Sequence, residues 1–263
     1  MKSFDIVISK LKKGSIQIDQ FYELLSTVQT TFFENAQLEC ELLISNGFPI
    51  IIDEDNKVSL KTNYTQIKDQ VFCIVDIETN GGKPSNSQII EIGAVKYKNG
   101  QVIDQYESLV YAKEIPQYIQ EVTNITPDML EDAPTLHTVL EEFKIFLEDD
   151  VFVAHDVKFD YKYISYSMQM NDLGKLNNRA MCTIDLAKKV FESEKYGLST
   201  LKELLNIEVD NHHRALSDAI SSMHILDKSL QNIDLTKLKY TEDLIYFSKH
   251  HQKNRPKKKN PKN

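Results

Sequence analysis

Residues 71–79 read V-F-C-I-V-D-I-E-T, an apolar run interrupted only by Asp76 and Glu78, two positions apart. A short run of this kind, rich in β-branched residues, predicts a strand buried on both faces. Side chains alternate across a strand, so positions i and i+2 point to one face. Two carboxylates side by side on a buried face lose hydration and repel each other, and a cation between them removes that cost. The plainer alternative is a strand end whose acids reach solvent.

Downstream, I-I-E-I-G-A-V-K-Y-K-N-G-Q-V-I-D-Q-Y-E-S-L-V (89–110) holds two strands around Asn99-Gly100, a type I′ hairpin signal. T-L-H-T-V-L-E-E-F-K-I-F-L-E-D (135–149) has helical periodicity and leads into the short apolar strand V-F-V-A-H (151–155). A helix is expected over about 159–172, a short strand at Met181-Cys182-Thr183 and helices over Leu198 to Leu205 and Ala215 to Leu230. Strands that first meander and then alternate with helices give an α/β class with a mixed sheet.

Upstream, three apolar helical patterns precede F-P-I-I-I-D-E-D-N-K-V-S-L-K-T (48–62), where two β-prone runs flank a polar turn. The third pattern starts at Phe33 and stops at Asn46-Gly47, a helix C-terminal cap. Helices followed by a hairpin resemble a winged-helix module. Glu34, Glu39 and Glu41 on the third helix disfavour DNA recognition and favour a packing or protein-docking role. The expected division is a winged-helix-like region over 1–66, a catalytic domain over 67–235, and a C-terminal helix with a basic tail over 236–263.

The chain has 263 residues and a formal net charge of −8, is 41% hydrophobic and carries three cysteines. That composition excludes collagen, coiled-coil rods and wholly disordered chains. No apolar run approaches the roughly 18 residues of a membrane span, and the start lacks a signal-peptide pattern. Few, unpatterned cysteines (Cys40, Cys73, Cys182) fit a reduced, cytoplasmic setting without a zinc site. Residues 1–70 carry 7 basic and 10 acidic groups, 71–248 carry 17 and 29, and 249–263 carry 7 and none. The mean charge weakly disfavours a polyanionic partner, while the short basic tail offers a positive segment of opposite sign.

Further acids and a histidine complete a pattern. Asp160 follows the second apolar strand in A-H-D-V-K-F-D (154–160), and His213 and Asp218 lie in H-R-A-L-S-D-A (213–219). Five residues along a helix is about 500°, which leaves these two side chains about 140° apart. They converge only if His213 sits on the loop before the helix, where it would be exposed enough to accept a proton. Taken singly, each has an ordinary reading: an N-cap, a surface histidine, a solvated helix acid.

Together, V-D-I-E-T at 75–79, A-H-D-V-K-F-D at 154–160 and H-R-A-L-S-D-A at 213–219 resemble the three ordered motifs of the DEDDh 3′–5′ exonucleases. That family is typified by the proofreading epsilon subunit of bacterial DNA polymerase III. Y-x-L-x-x-L at 196–201 and V-T-N-I-T at 122–126 agree with its flanks, and the likeness covers about 71–231. It implies a ribonuclease-H-like fold with a five-stranded mixed sheet. Two departures stand out: the second motif usually reads His-Asn, here His155-Asp156, and Thr123 replaces the histidine of a His-Gly-Ile-Thr-like turn.

The resemblance implies two divalent cations, Mg²⁺ or Mn²⁺, which suit a set of hard carboxylate oxygens. Asp76, Glu78, Asp160 and Asp218 are the implied metal ligands, and His213 is the implied base for the attacking water. Thr79 is a candidate for the terminal 3′-hydroxyl, Ile125 for a wedge against the last base and Phe159 for a pocket wall. The expected substrate is a nucleic acid 3′ end, DNA favoured over RNA, hydrolysed to nucleoside 5′-monophosphates. If the chain proofreads, the polymerase is a separate chain, because this one is too short to hold both. RNA trimming or DNA repair within the same family is an alternative, as is a non-catalytic nucleic-acid-binding adaptor.

Overall fold

A computed structural model describes residues 4–28, 35–209 and 213–250. The N-terminal part runs α1 (Asp5–Leu11), β1 (Ile16–Gln17), α2 (Ile18–Ser26), α3 (Ala36–Ser45), β2 (Ile50–Ile52) and β3 (Lys57–Leu60). Its three strands are antiparallel in the order β1-β3-β2. The expected hairpin is thus β2–β3, while β1, only two residues long, gave no sequence signal. Helix α3 ends where Asn46-Gly47 predicted, with Gly47 at φ 83°, and the Phe33 at the start of that pattern lies outside the described residues. Val7, Leu11, Phe21, Leu25, Phe48, Val58 and Leu60 pack together as a core of its own.

The second sheet begins with β4 (Phe72–Thr79), followed by β5 (Ile89–Lys98) and β6 (Gln101–Leu109). Asn99 and Gly100 both have positive φ, 48° and 80°, as a type I′ turn requires. Then come α4 (Gln117–Thr123), α5 (Pro127–Leu130), α6 (Leu136–Leu147), β7 (Val151–Ala154), α7 (Val157–Met170), β8 (Ala180–Cys182) and α8 (Thr183–Val190). Helices α9 (Leu198–Leu204), α10 (Ala215–Gln231) and α11 (Thr241–Lys249) complete the chain. The strand order is β6-β5-β4-β7-β8, antiparallel from β6 to β4 and parallel from β4 to β8. The expected mixed five-stranded sheet is present, with β4 at its centre.

Period-2 alternation sorts β4 between two cores. Cys73, Val75 and Ile77 face a cluster that includes Val139, Phe143, Tyr163 and Met168 from α6 and α7. Phe72 and Ile74 face Ala219, Met223 and Leu226 of α10 and Leu244 and Ile245 of α11. Continuing that second face by twos reaches Asp76 and then Glu78, where the apolar packing stops. Helix α11 therefore belongs to the core that positions the site.

Buried polar contacts join the two parts. Glu242 of α11, 4% exposed, accepts from Arg179 Nε at 3.0 Å and from Thr62 Oγ1 at 2.9 Å, and Lys12 Nζ lies at 3.4 Å. The backbone N–H groups of Thr241 and Asn177 donate to Thr65 and Asn46 carbonyls at 2.9 and 2.8 Å. Gly47 and Gly174 are each pressed against an asparagine, Asn178 and Asn46, with no room for a Cβ. The basic tail beyond His250 lies outside the described residues.

Candidate active site

The acids of the three motifs meet at the C-terminal end of β4. Asp76 and Glu78 continue the β4 face that packs against α10, and a register irregularity follows between Glu78 and Thr79. Asp160 sits in the first turn of α7, 4% exposed, and Asp218 in the first turn of α10, 7% exposed. His213 lies one residue before the α10 cap, exposed, at φ 60°. It is on the turn rather than the helix, the condition for its convergence with Asp218. One ligand atom each from Glu78, His213 and Asp218 lies within 4.8 Å of the others.

The electrostatics match this crowding. Asp76 opens to solvent at one edge, yet protein surrounds it closely. Its carboxyl is pushed well above the carboxylate range, first by burial, then by Asp160, Glu78, Asp218 and Glu91. Glu78 is pushed up to about 8, chiefly by burial, then by Glu91, Asp218 and Asp160, with Arg214 opposing. Asp160 is raised by burial, against backbone N–H donation from its own residue and Ile77. Four carboxylates facing inward without enough positive charge are what divalent cations would balance. A donor set of carboxylate oxygens suits hard divalent cations, so the residues fit such ions.

Residues beyond the acids hold this arrangement. His155 Nε2 meets the Tyr196 carbonyl at 3.0 Å and Nδ1 meets Thr183 Oγ1 at 2.7 Å. A carbonyl only accepts, so Nε2 carries the proton and the threonine hydroxyl donates to Nδ1. Burial pushes this imidazole down to about 4, which keeps it neutral. It ties the end of β7 to the Y-x-L-x-x-L segment. Asp156 takes φ 89° at the start of α7, a left-handed conformation that Asn and Asp tolerate, so the His-Asp variant keeps the local backbone.

The three expected nucleotide contacts fare differently. Thr79 lies beside the Tyr163 hydroxyl, and the Phe159 ring, 39% exposed, lies 5.5 Å from that of Tyr163. Ile125 corrects the expectation of a wedge: it is wholly buried with Ile90, Ala112, Ile115 and Leu130. The turn before it rotates its side chain inward, with Asn124 at φ 56°. Thr123 Oγ1 donates to the Ile119 carbonyl at 2.9 Å and accepts from the Ile125 N–H at 3.2 Å, so it caps α4.

Sequence reading missed Tyr163, Glu91 and Arg214. Tyr163 is four residues after Phe159, on one helix face, and its hydroxyl donates to the Gly81 carbonyl at 3.1 Å. Glu91, an acid in an apolar strand, pairs directly across from Glu78 and is wholly buried.

Comparison with known proteins agrees with this geometry. The family model described as "Exonuclease" (RNase T type) matches residues 73–226. The chain is 33% identical over 186 residues to the PolC-type DNA polymerase III of Staphylococcus haemolyticus, covering 70% of this chain and 13% of that protein. It is 36% identical over 194 residues to the PolC-type DNA polymerase III of Clostridium perfringens, covering 73% and 13%. The chain thus spans about an eighth of the length of these relatives. Among solved structures, exonuclease X in complex with 5′-overhanging duplex DNA superposes with a TM-score of 0.54 at 23% identity, covering 67% of this chain and 99% of that one. Escherichia coli exonuclease I with a dT13 oligonucleotide gives 0.55 at 17% identity, covering 64% and 42%. The chain belongs to this exonuclease family, as a DnaQ-like 3′–5′ exonuclease. Among the described residues, no helix is long and apolar enough to cross a membrane.

Proposed function

We propose that the chain removes nucleotides from DNA 3′ ends as the proofreading exonuclease of a replicative polymerase, in the manner of an epsilon subunit, acting with a separate polymerase chain. The observation that carries the reading is the convergence of Glu78, Asp218 and His213 on one point beside Asp76, whose carboxyl is pushed upward by burial and by the neighbouring acids, Asp160 first among them. The likeness to PolC-type DNA polymerase III favours DNA and replication over RNA.

In this reading Asp76, Glu78, Asp160 and Asp218 would hold two divalent cations, Mg²⁺ or Mn²⁺. Such ions, when bound, polarise the scissile phosphate and stabilise the charge on the departing 3′ oxygen. His213 accepts the proton of the attacking water, and its exposed position lets it pass that proton to solvent. Thr79 orients the terminal 3′-hydroxyl, and Phe159 presents a ring edge or face to the last base. The products are nucleoside 5′-monophosphates.

The chain divides in this reading into a winged-helix-like module over 1–66, an exonuclease domain over 67–235 and a C-terminal segment over 236–263. The element order α1-β1-α2-α3-β2-β3, with the strands paired β1-β3-β2, supports the winged-helix assignment. Leu38, Ile44, Ile51 and Ile52, each at least 40% exposed, give that module an apolar surface suited to protein rather than to DNA.

The test is degradation of 5′-labelled DNA and RNA, paired and mismatched, with Mg²⁺, Mn²⁺ or EDTA. Metal-dependent shortening from the 3′ end, faster on DNA and on mismatched termini and lost in Asp76→Asn, is the expected result. Equal rates on paired and mismatched ends would remove the proofreading role. Tight binding without hydrolysis would favour the adaptor.

A further inference from the structure

We propose that Glu91 and Arg214 form a clamp, reaching from β5 to the start of α10, that positions His213; this rests on the reading of His213 as the base. Glu91 Oε1 accepts from Arg214 Nε at 2.9 Å and Nη2 at 2.6 Å, and Glu91 Oε2 accepts from the Ala215 N–H at 2.9 Å. Both oxygens are thus taken by N–H donors, so this acid, although directly across from Glu78, serves the backbone of α10 rather than an ion.

The clamp also replaces a local helix cap. The N-cap residue of α10 is Arg214, whose side chain makes no capping bond to its own helix. An N-cap normally supplies an oxygen for the first free N–H groups. Here that oxygen, and the negative charge favoured at a helix N-terminus, come from a neighbouring strand. Two residues along the same strand, Gly93 lies so close to α10 that a Cβ would fall 2.1 Å from the Leu216 nitrogen. Glu91 and Gly93 therefore both hold the α10 backbone at its first two residues, Ala215 and Leu216.

His213 is bonded directly to the clamped residue and takes φ 60°. A non-glycine residue holds that conformation when its surroundings impose it. Fixing Arg214 and Ala215 determines the direction in which the His213 side chain leaves the chain, and so its approach to Glu78 and Asp218. Glu91 and Arg214 are positioning residues, acting through His213.

The experiment is a mutant cycle read on a 5′-labelled single-stranded DNA oligonucleotide with Mg²⁺. Arg214→Lys keeps the charge but loses the two-pronged donor. It is expected to lower kcat by roughly 10–100-fold, the range typical when an orienting partner is removed, with KM unchanged. Glu91→Gln should act in the same direction, and the partly exposed Arg214 site covers the case in which the buried substitution does not fold. In a His213→Ala background the Arg214→Lys loss should vanish. A loss that multiplies with that of His213→Ala would overturn the clamp.

An unchanged rate in His213→Ala alone would instead refute the base assignment. The ring signals of His213 in the metal-free protein would then decide the clamp by themselves. They are expected to move toward free-imidazole positions in Arg214→Lys, and unmoved signals would overturn it.

Discussion

Replacing Glu78 by glutamine should make the metal-free protein more stable while abolishing its response to divalent ions. The Glu78 carboxyl is raised from an ordinary 4.5 to about 8, mainly by burial and then by Glu91, Asp218 and Asp160. Between those pH values the unfolded chain has released a proton that the folded one still holds, so stability falls as pH rises through the window. Each pH unit costs about 1.36 kcal/mol, which amounts to about 3 kcal/mol by pH 7. Glutamine keeps the shape without the charge, so Glu78→Gln in EDTA should exceed the wild type by that order near pH 7 and match it near pH 4.5. For a domain of this size the gain corresponds to roughly 6–12 °C in Tm. Adding Mn²⁺ should raise the wild-type Tm by mass action and leave the variant unmoved. The measurement is thermal unfolding at pH 4.5, 6 and 8, with EDTA or with Mn²⁺. A variant less stable than the wild type at pH 8 in EDTA, or one that keeps the Mn²⁺ shift, would refute the reasoning.

Three further outcomes follow from other contacts. His155 is held neutral and pushed down to about 4 by burial, so stability should fall as pH drops from 6.5 toward 4, by up to about 3 kcal/mol; His155→Gln should flatten that acid limb, measured as urea midpoints. Gly93→Ala would place a methyl group 2.1 Å from the Leu216 nitrogen, costing about 1–3 kcal/mol by overpacking and lowering exonuclease rates, and an unchanged unfolding midpoint would contradict the close strand–helix contact. Glu242→Ala strands Arg179 without its buried partner, at about 3–5 kcal/mol, and should speed limited proteolysis of the N-terminal part; wild-type resistance would show that the Lys12–Thr62–Glu242 contacts do not join the two parts.

The strand V-F-C-I-V-D-I-E-T and the Asn99-Gly100 hairpin were legible because each rests on local rules: alternation along a strand, and positive φ at an Asn-Gly pair. The acids were legible for a related reason. A carboxylate within an apolar run conflicts with its surroundings, and such conflicts mark sites. Strand β1, at two residues, carries no period to read and forms only because β3 is beside it.

Ile125 shows where local reading ends. Its position in V-T-N-I-T (122–126) suggested a wedge against the last base, and the left-handed Asn124 together with the Ile90 cluster decided for the core. Glu91 shows the converse: one acid in an apolar strand is ambiguous until its partner Arg214, 123 positions away, comes beside it.

The sequence by itself determined which side chains are available for chemistry, their order and the strand face that Asp76 and Glu78 share, since these follow from covalent spacing and the two-residue period. Only the tertiary structure decided that Asp160, His213 and Asp218 gather on that face, that Ile125 turns away from it, and that Glu91 grips the start of α10. Those relations depend on how β5, β7 and α10 pack around β4, and long-range packing has no period along the chain from which it can be read.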